Sequence, residues 1–354
     1  MPQKYIWSYI VVFILILGAI GYKCFLVPSR RETIFDRKIS IPQYPVLHIP
    51  DLPPFCDDLP GLNKGYASIK EGRMYYEQEG QGIPLILING GPGCTHHLFH
   101  PYFSQLKDMA RIIYYDQRGT GKSSIDNTGR TYTLNQAIDD LDSLRKDLKI
   151  DKWVVLGWSY GGLLAQLYAL KYPEHCTGLV LGTADPFGGN EGLYTGVGPQ
   201  YNRLTQFVSA KEFDAWKDLE KKAKEGIITP LQMIYNRFIC GYWKLSFYHK
   251  PPEKETIKQT LYGFNQDPDF RKTMISEIAK INLQDKFANF AIPTLIVEGK
   301  WDFLWGDMDR VAIMRKNHPH AQIEVFEKSG HNIYVDEPEK FFNLLRKFLV
   351  KLEK

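Results

Sequence analysis

A serine flanked by glycines, in Gly157-Trp158-Ser159-Tyr160-Gly161-Gly162, is the residue of this sequence best set to act as a nucleophile. It follows an apolar run, Trp153 to Leu156, that reads as a buried strand, and it opens a run, Gly161 to Tyr172, that reads as a helix. A strand turning sharply into a helix leaves no room for side chains at 157 and 161 and pushes the serine out of the sheet. It also sets Ser159 Oγ at a helix N-terminus, where backbone N–H groups favour negative charge. A serine hydroxyl is a weak nucleophile unless a base takes its proton, and that base needs an acid to orient it. Asp302 lies just past the apolar run Thr294–Val297, and His331 follows the run ending near Phe326. These places suit acyl transfer, with Ser159 as nucleophile, His331 as base and Asp302 as orienting acid. Alone, Asp302 would be a turn residue and His331 a loop residue; their joint position after the last two strands gives them a role. Asp309, Asp307 and Glu298 are alternative acids. His96, His97 and His100 are poorer bases, being far upstream.

The charge that develops on a substrate carbonyl needs donors, and backbone amides fixed in advance serve best. Tyr160 N–H, next to the nucleophile, is one expected donor. Gly91 N–H, in Asn89-Gly90-Gly91-Pro92-Gly93 after the run Pro84–Ile88, is the other, since glycine lets backbone approach substrate closely. Asn89 and Gly90 support that loop. A phosphate loop is the competing reading, but Cys94-Thr95 stands where a Walker loop needs Gly-Lys-Ser, and Asp116 stands where Gly121-Lys122-Ser123 would need an earlier glycine. Cys94 has no strand-turn-helix to present it and is read as packing.

The elements that must hold these residues alternate. Strands are expected near Tyr66–Ile69, Arg73–Gln78, Pro84–Ile88, Arg111–Tyr115, Trp153–Leu156 and Gly178–Leu181, with helices at His97–Met109, Leu134–Leu148 and Gly161–Tyr172. Thr133 and Gln136 form a capping-box pattern for the second of these. The alternation stops near 186, where an aromatic-rich, helical pattern runs to about 290. It resumes with strand Thr294–Val297, helix Asp309–Lys316, strand Gln322–Phe326 and helix Pro338–Leu352. This predicts an α/β fold with a mostly parallel central sheet and an inserted all-helical cap. The division is 1–25 as a hydrophobic segment, 26–62 as a proline-rich lead-in, 63–185 and 291–354 as the α/β core, and 186–290 as the cap. The cap lies over the C-terminal edge of the sheet, where sites form in such folds. Its aromatic residues, among them Phe213, Trp216, Tyr235, Phe238 and Trp243, read mostly as a small helical core and in part as an apolar pocket lining.

With 44 Lys and Arg against 40 Asp and Glu in 354 residues, the chain carries +4, too little to argue for nucleic acid. Five cysteines without a C-x-x-C spacing point to free thiols, and no metal or cofactor is expected. Residues 5–22 are apolar and uncharged, and as a helix would span about 27 Å at roughly 1.5 Å per residue. They are expected to be a single-pass membrane anchor, so that the membrane is a partner and the localisation; a cleaved secretory signal ending at Ala19-Ile20-Gly21 is the alternative.

Gly90-Gly91-Pro92-Gly93, Asp116-Gln117-Arg118-Gly119-Thr120-Gly121-Lys122-Ser123, the serine turn, and the late Asp302 with Ser329-Gly330-His331 together resemble the α/β-hydrolase superfamily. Within it they are most similar to the proline iminopeptidase-like group. The resemblance covers about 66–184 and 291–352. It implies the Ser159, Asp302, His331 triad, an oxyanion amide at Gly91, and a site-supporting role for Arg118. It also implies release of an N-terminal proline or similar small apolar residue from a peptide. A carboxylesterase acting on small or apolar esters is the alternative, and a non-catalytic binding protein on the same fold is the reading from another class. The chain departs from the group in having Asn89 where histidine is usual and Tyr160 where tryptophan is usual, and in lacking a Glu-x-x-His-Tyr-Phe context in the cap. An acid to hold a substrate amine is then sought among Glu212, Glu220, Glu225, Glu253 and Glu255 of the cap.

Overall fold

Strands that are apolar on both faces need cover on both sides, and this sheet has it. The computed structural model describes residues 60–188, 206–252, 266–304 and 309–353, with the single residues 255, 258 and 263. Its strands are β1 (Asn63–Ile69), β2 (Gly72–Glu79), β3 (Ile83–Ile88), β4 (Ala110–Tyr115), β5 (Trp153–Trp158), β6 (Cys176–Gly182), β7 (Thr294–Gly299) and β8 (Gln322–Phe326). They form one sheet in the order β1-β2-β4-β3-β5-β6-β7-β8. The β1–β2 and β2–β4 pairs are antiparallel; every pair from β4 to β8 is parallel. All eight expected strands are present.

Side chains alternate across a strand, so β3 and β5 feed two cores. Ile86, Ile88, Trp153 and Val155 join one apolar cluster, with Leu163 and Leu164 of the helix α2 (Tyr160–Lys171). Leu85, Leu87, Val154, Leu156 and Trp158 join the other, with Phe341 and Leu345 of the C-terminal helix, α8 (Pro338–Leu352). Strand β5 is buried along its whole length. The site therefore rests on the most enclosed part of the sheet.

Between β4 and β5 runs α1 (Leu134–Asp147). Thr133 caps it by accepting from Gln136 N, but the Gln136 side chain turns to Asp140 Oδ1 instead of closing the box. The helix expected at His97–Met109 is not one helix. Two 3-10 turns, His96–Leu98 and Tyr102–Leu106, flank Pro101. Proline has no N–H to give and keeps its predecessor out of the α region, so the helix cannot pass through it.

Between β6 and β7 the described residues are helical: α3 (Ala210–Lys224), α4 (Pro230–Ile239), a 3-10 turn at Tyr242–Leu245, and α5 (Pro268–Ile278). Ser209 with Glu212 and Thr229 with Gln232 form full capping boxes at the starts of α3 and α4. After β7 comes α6 (Arg310–Asn317), capped by Asp309, and after β8 the short α7 (Ile333–Asp336).

The membrane expectation is corrected. Among the described residues no helix is long and apolar enough to cross a membrane. The segment 5–22, on which both the anchor and the membrane localisation rested, lies outside the described residues.

One buried ion pair ties the segment after β4 to α1. Arg118 Nε and Nη2 donate to the two oxygens of Asp140 at 2.8 and 2.9 Å, and both side chains are buried. Removing one partner of such a pair strands a charge in the interior, which costs about 3–5 kcal/mol. Asp140→Ala should lower the unfolding free energy by about that much in urea denaturation, and a loss under about 1 kcal/mol would contradict the assigned role.

Candidate active site

Ser159 sits between the last residue of β5 and the first of α2, with φ 57° and ψ −123°. A non-glycine residue in that region carries about 1–3 kcal/mol of strain and persists only where its surroundings impose it. The surroundings are visible. A methyl group on Gly161 would lie 2.2 Å from Ile88 O, and one on Gly157 would lie 2.2 Å from Gly161 O. The helix thus backs onto the ends of β3 and β5 at a separation that only glycine allows. Ser159 N donates to Gly182 O at 2.9 Å, and Ser159 O accepts from Gly162 N and Asp185 N at 2.9 and 3.1 Å.

The glycine loop lies against the serine. A methyl on Gly90 would meet Ser159 Cβ at 3.2 Å and Oγ at 3.7 Å. Gly91 takes φ 119°, closed to other residues without strain. Asn89 is fully buried, and its amide donates to Tyr115 O at 2.8 Å, joining the C-terminal ends of β3 and β4. The far end of the loop is held by Asp116, whose Oδ1 accepts from His96 N and meets His96 Nδ1 at 2.9 and 2.8 Å. This acid raises the His96 pKa to about 9 against the opposing effect of burial. His100 Nε2 lies 2.9 Å from Glu77. These two histidines belong to a buried charge network under the loop. Cys94 is buried, which pushes its thiol up to about 12, out of the nucleophilic range. The Tyr160 ring is fully buried in the core cluster behind the turn.

His331 and Asp302 come together. His331 Nδ1 lies 2.7 Å from Asp302 Oδ2, both side chains being buried. An ionised carboxylate only accepts, so Nδ1 carries the hydrogen and Nε2 is the basic nitrogen. The His331 carbonyl accepts from Trp158 Nε1 at 3.0 Å and Thr183 Oγ1 at 3.2 Å. Trp158 immediately precedes Ser159, so the histidine loop is fastened to the serine turn itself. Of the alternative acids, Glu298 is fully buried beside Arg310, Asp309 caps α6, and Asp307 lies outside the described residues.

Arg310 escaped the sequence reading. Its Nη1 donates to Asp302 Oδ2 at 3.2 Å, and its Nη2 donates to Glu298 at 2.9 Å and to Ala184 O at 2.7 Å. A cation in the first turn of a helix opposes the helix dipole. That misplacement was the one available sign that Arg310 serves something other than α6.

The cap is stitched to both flanks of this site by backbone and side chains alike. On one side Leu245 O accepts from Phe303 N and Ser246 O from Asn332 N, at 3.3 and 3.0 Å. Asp336 adds to this side by accepting from Gly330 N and Tyr248 N, both at 2.9 Å. On the other, Gly263 O accepts from Thr95 N at 3.0 Å and Arg271 donates to Pro92 O at 3.0 Å, while the Gln266 side chain covers Gly93.

A family profile described as alpha/beta hydrolase fold matches residues 83–338. The chain belongs to the α/β-hydrolase fold family. A proline iminopeptidase of Saccharolobus solfataricus is 27% identical over 299 residues, 81% of this α/β-hydrolase and 92% of its own length. A cis-3-alkyl-4-alkyloxetan-2-one decarboxylase of Shewanella oneidensis is 27% identical over 312 residues, covering 84% and 91%. Among solved structures, an esterase from Exiguobacterium antarcticum aligns with a TM-score of 0.61 over 80% of this chain and 98% of its own, at 23% identity, and so speaks for the fold. Fold and kinship make this α/β-hydrolase an enzyme of the serine-hydrolase type, with proline iminopeptidases among its relatives.

The turn at Ser159 gives a direct test of its geometry. Gly161→Ala drives a methyl into the Ile88 carbonyl, and overpacking of this kind costs about 1–3 kcal/mol. The variant should unfold at correspondingly lower urea concentration; an unchanged midpoint would mean that the turn is not closed as described.

Proposed function

We propose that Ser159 attacks a substrate carbonyl, that His331 Nε2 takes its proton, and that Asp302 orients the imidazole and stabilises its charged form. The tetrahedral oxyanion is held by Gly91 N–H and Tyr160 N–H; its collapse expels the leaving amine or alcohol, which takes the proton from His331, and yields an acyl-enzyme that water hydrolyses with His331 again as base. The observation that carries this reading is the 2.7 Å contact between His331 Nδ1 and Asp302, on a loop whose carbonyl is fastened to Trp158. Residues 186–290 act as the cap that closes over the substrate.

The substrate we propose first is a peptide with a free N-terminal proline or similar small apolar residue. Its support is kinship with proline iminopeptidases. The second reading, a carboxylesterase for small or apolar esters, has its own observation. Each described cap glutamate already has a cation. Glu212 pairs with Lys244 at 2.8 Å, Glu220 with Arg237 at 2.6 Å, and Glu225 with Lys221 at 3.8 Å. Glu255, the one that is buried, pairs with Lys258 at 2.8 Å and accepts from Tyr102 at 3.0 Å. A carboxylate so engaged must give up a partner to take a substrate amine.

Ser159→Ala and His331→Ala should each cut turnover by about 10⁴-fold or more while leaving the protein folded. A fluorophosphonate should label the parent and not the Ser159 variant; labelling that persists would remove Ser159 from the nucleophile's role. The substrate readings separate on Pro-, Ala- and Leu-β-naphthylamide, N-acetyl-Pro-β-naphthylamide, and p-nitrophenyl acetate and butyrate. Cleavage of the free Pro amide but not its N-acetyl form supports the aminopeptidase. Ester turnover with no release from any free-amine amide leaves the esterase.

A further inference from the structure

Three carboxyl and guanidinium side chains meet behind the proposed base, and only one of them has a part in the chemistry so far. Asp302 Oδ2 is shared: His331 Nδ1 approaches it at 2.7 Å and Arg310 Nη1 at 3.2 Å. Arg310 is itself fixed on two further sides, by Glu298 at 2.9 Å and by Ala184 O at 2.7 Å. Ala184 precedes Asp185, whose N–H holds Ser159 O at 3.1 Å. Glu298, Asp302 and Arg310 are all buried. The groups that bear on one another here are Glu298 from β7, Asp302 from the loop after it, Arg310 from α6 and His331 from the loop after β8. We infer that Arg310, braced by Glu298 and the Ala184 carbonyl, is a positioning residue that governs how strongly Asp302 draws on the imidazolium of His331. The inference rests on the proposed roles of Ser159, Asp302 and His331.

The physical case is one of competition for a single oxygen. A guanidinium on Oδ2 stabilises the carboxylate and lowers its basicity, so it weakens the hold of Asp302 on a proton-bearing His331; its charge also repels the imidazolium. Glu298 offsets that cation. Two anions and one cation then face the histidine when Glu298 is ionised, and one of each when it is neutral. Burial pushes Glu298 up to about 7 even with Arg310 beside it, so its charge changes near neutral pH. A residue that merely filled space or held α6 in place would not link these two titrations.

The sign is therefore opposite for the two partners. His331 must be neutral to accept the serine proton, and its ionisation sets the acid limb of kcat/KM. Arg310→Met removes the competing cation and should move that limb to higher pH, by at most about 1 unit, because Glu298 without Arg310 is pushed further up and no longer adds its charge. Glu298→Gln removes the offsetting anion and should move it to lower pH, by a smaller step. Arg310→Lys keeps the charge without reaching Asp302, Glu298 and Ala184 O together; it should leave the limb near the parent's and lower kcat. The profiles are measured on the full chain with p-nitrophenyl acetate, with Ser159→Ala as control. If Arg310→Met does not fold, Glu298→Gln and Arg310→Lys carry the test. Limbs that stay put, or move the same way in the Arg310→Met and Glu298→Gln variants, overturn the inference while the serine reading stands. Ester turnover that survives in Ser159→Ala overturns the serine reading and the inference with it.

Discussion

The approach of α2 to the ends of β3 and β5 is the constraint on which the rest depends. Gly161 sits where any side chain would strike the Ile88 carbonyl, and Gly157 where any would strike Gly161 itself. That closeness forces Ser159 into a left-handed backbone, and the bonds from Ser159 to Gly182, Gly162 and Asp185 hold it there. Everything else in the site is referred to this turn. The glycine loop touches it through Gly90, and the histidine loop hangs from Trp158. Helix packing, usually a matter of stability, here sets the direction in which one hydroxyl points.

Around this turn the protein spends buried charge freely. Arg118 with Asp140, Asp116 with His96, and Arg310 with Glu298 and Asp302 all lie out of water. A buried pair gives little net stability over apolar residues of similar size. What these pairs offer is direction. Each joins two separate elements or loops, and each ends on a loop that carries a proposed site residue. A greasy contact could hold the same loops close, but it would not fix their orientation.

Much of this was legible in the sequence. The strands could be read because parallel strands buried on both faces are short apolar runs, as at Leu85–Ile88 and Trp153–Leu156. The serine turn could be read because its glycines are demanded by backbone contact, which leaves a local mark. Proline at 101 broke a helix that the surrounding apolar pattern predicted, although the rule that it does so is itself local. The pairing of Gln136 with Asp140 rather than with the Thr133 amide was out of reach, since Asp140 needed Arg118 to place it. Arg310 was missed for the same reason: its partners lie on β7, on the loop after β7 and after β6, and no spacing in the chain announces that meeting. The pairing of the cap glutamates likewise depends on cations as far off as Lys244 from Glu212.

The seams between cap and core combine main-chain bonds at Leu245, Ser246 and Gly263 with side chains: Arg271 on the Pro92 carbonyl, Lys258 on the carbonyls of Leu98 and His100, and Phe270, Met274 and Ile278 in the core cluster. Peptide groups are the same whatever residue bears them. Side chains are not, so replacing Arg271, Lys258 or Phe270 would disturb the cap's footing as well as its lining. A foreign lid grafted at these seams would therefore have to bring matching side chains for the core as well as matching loop ends.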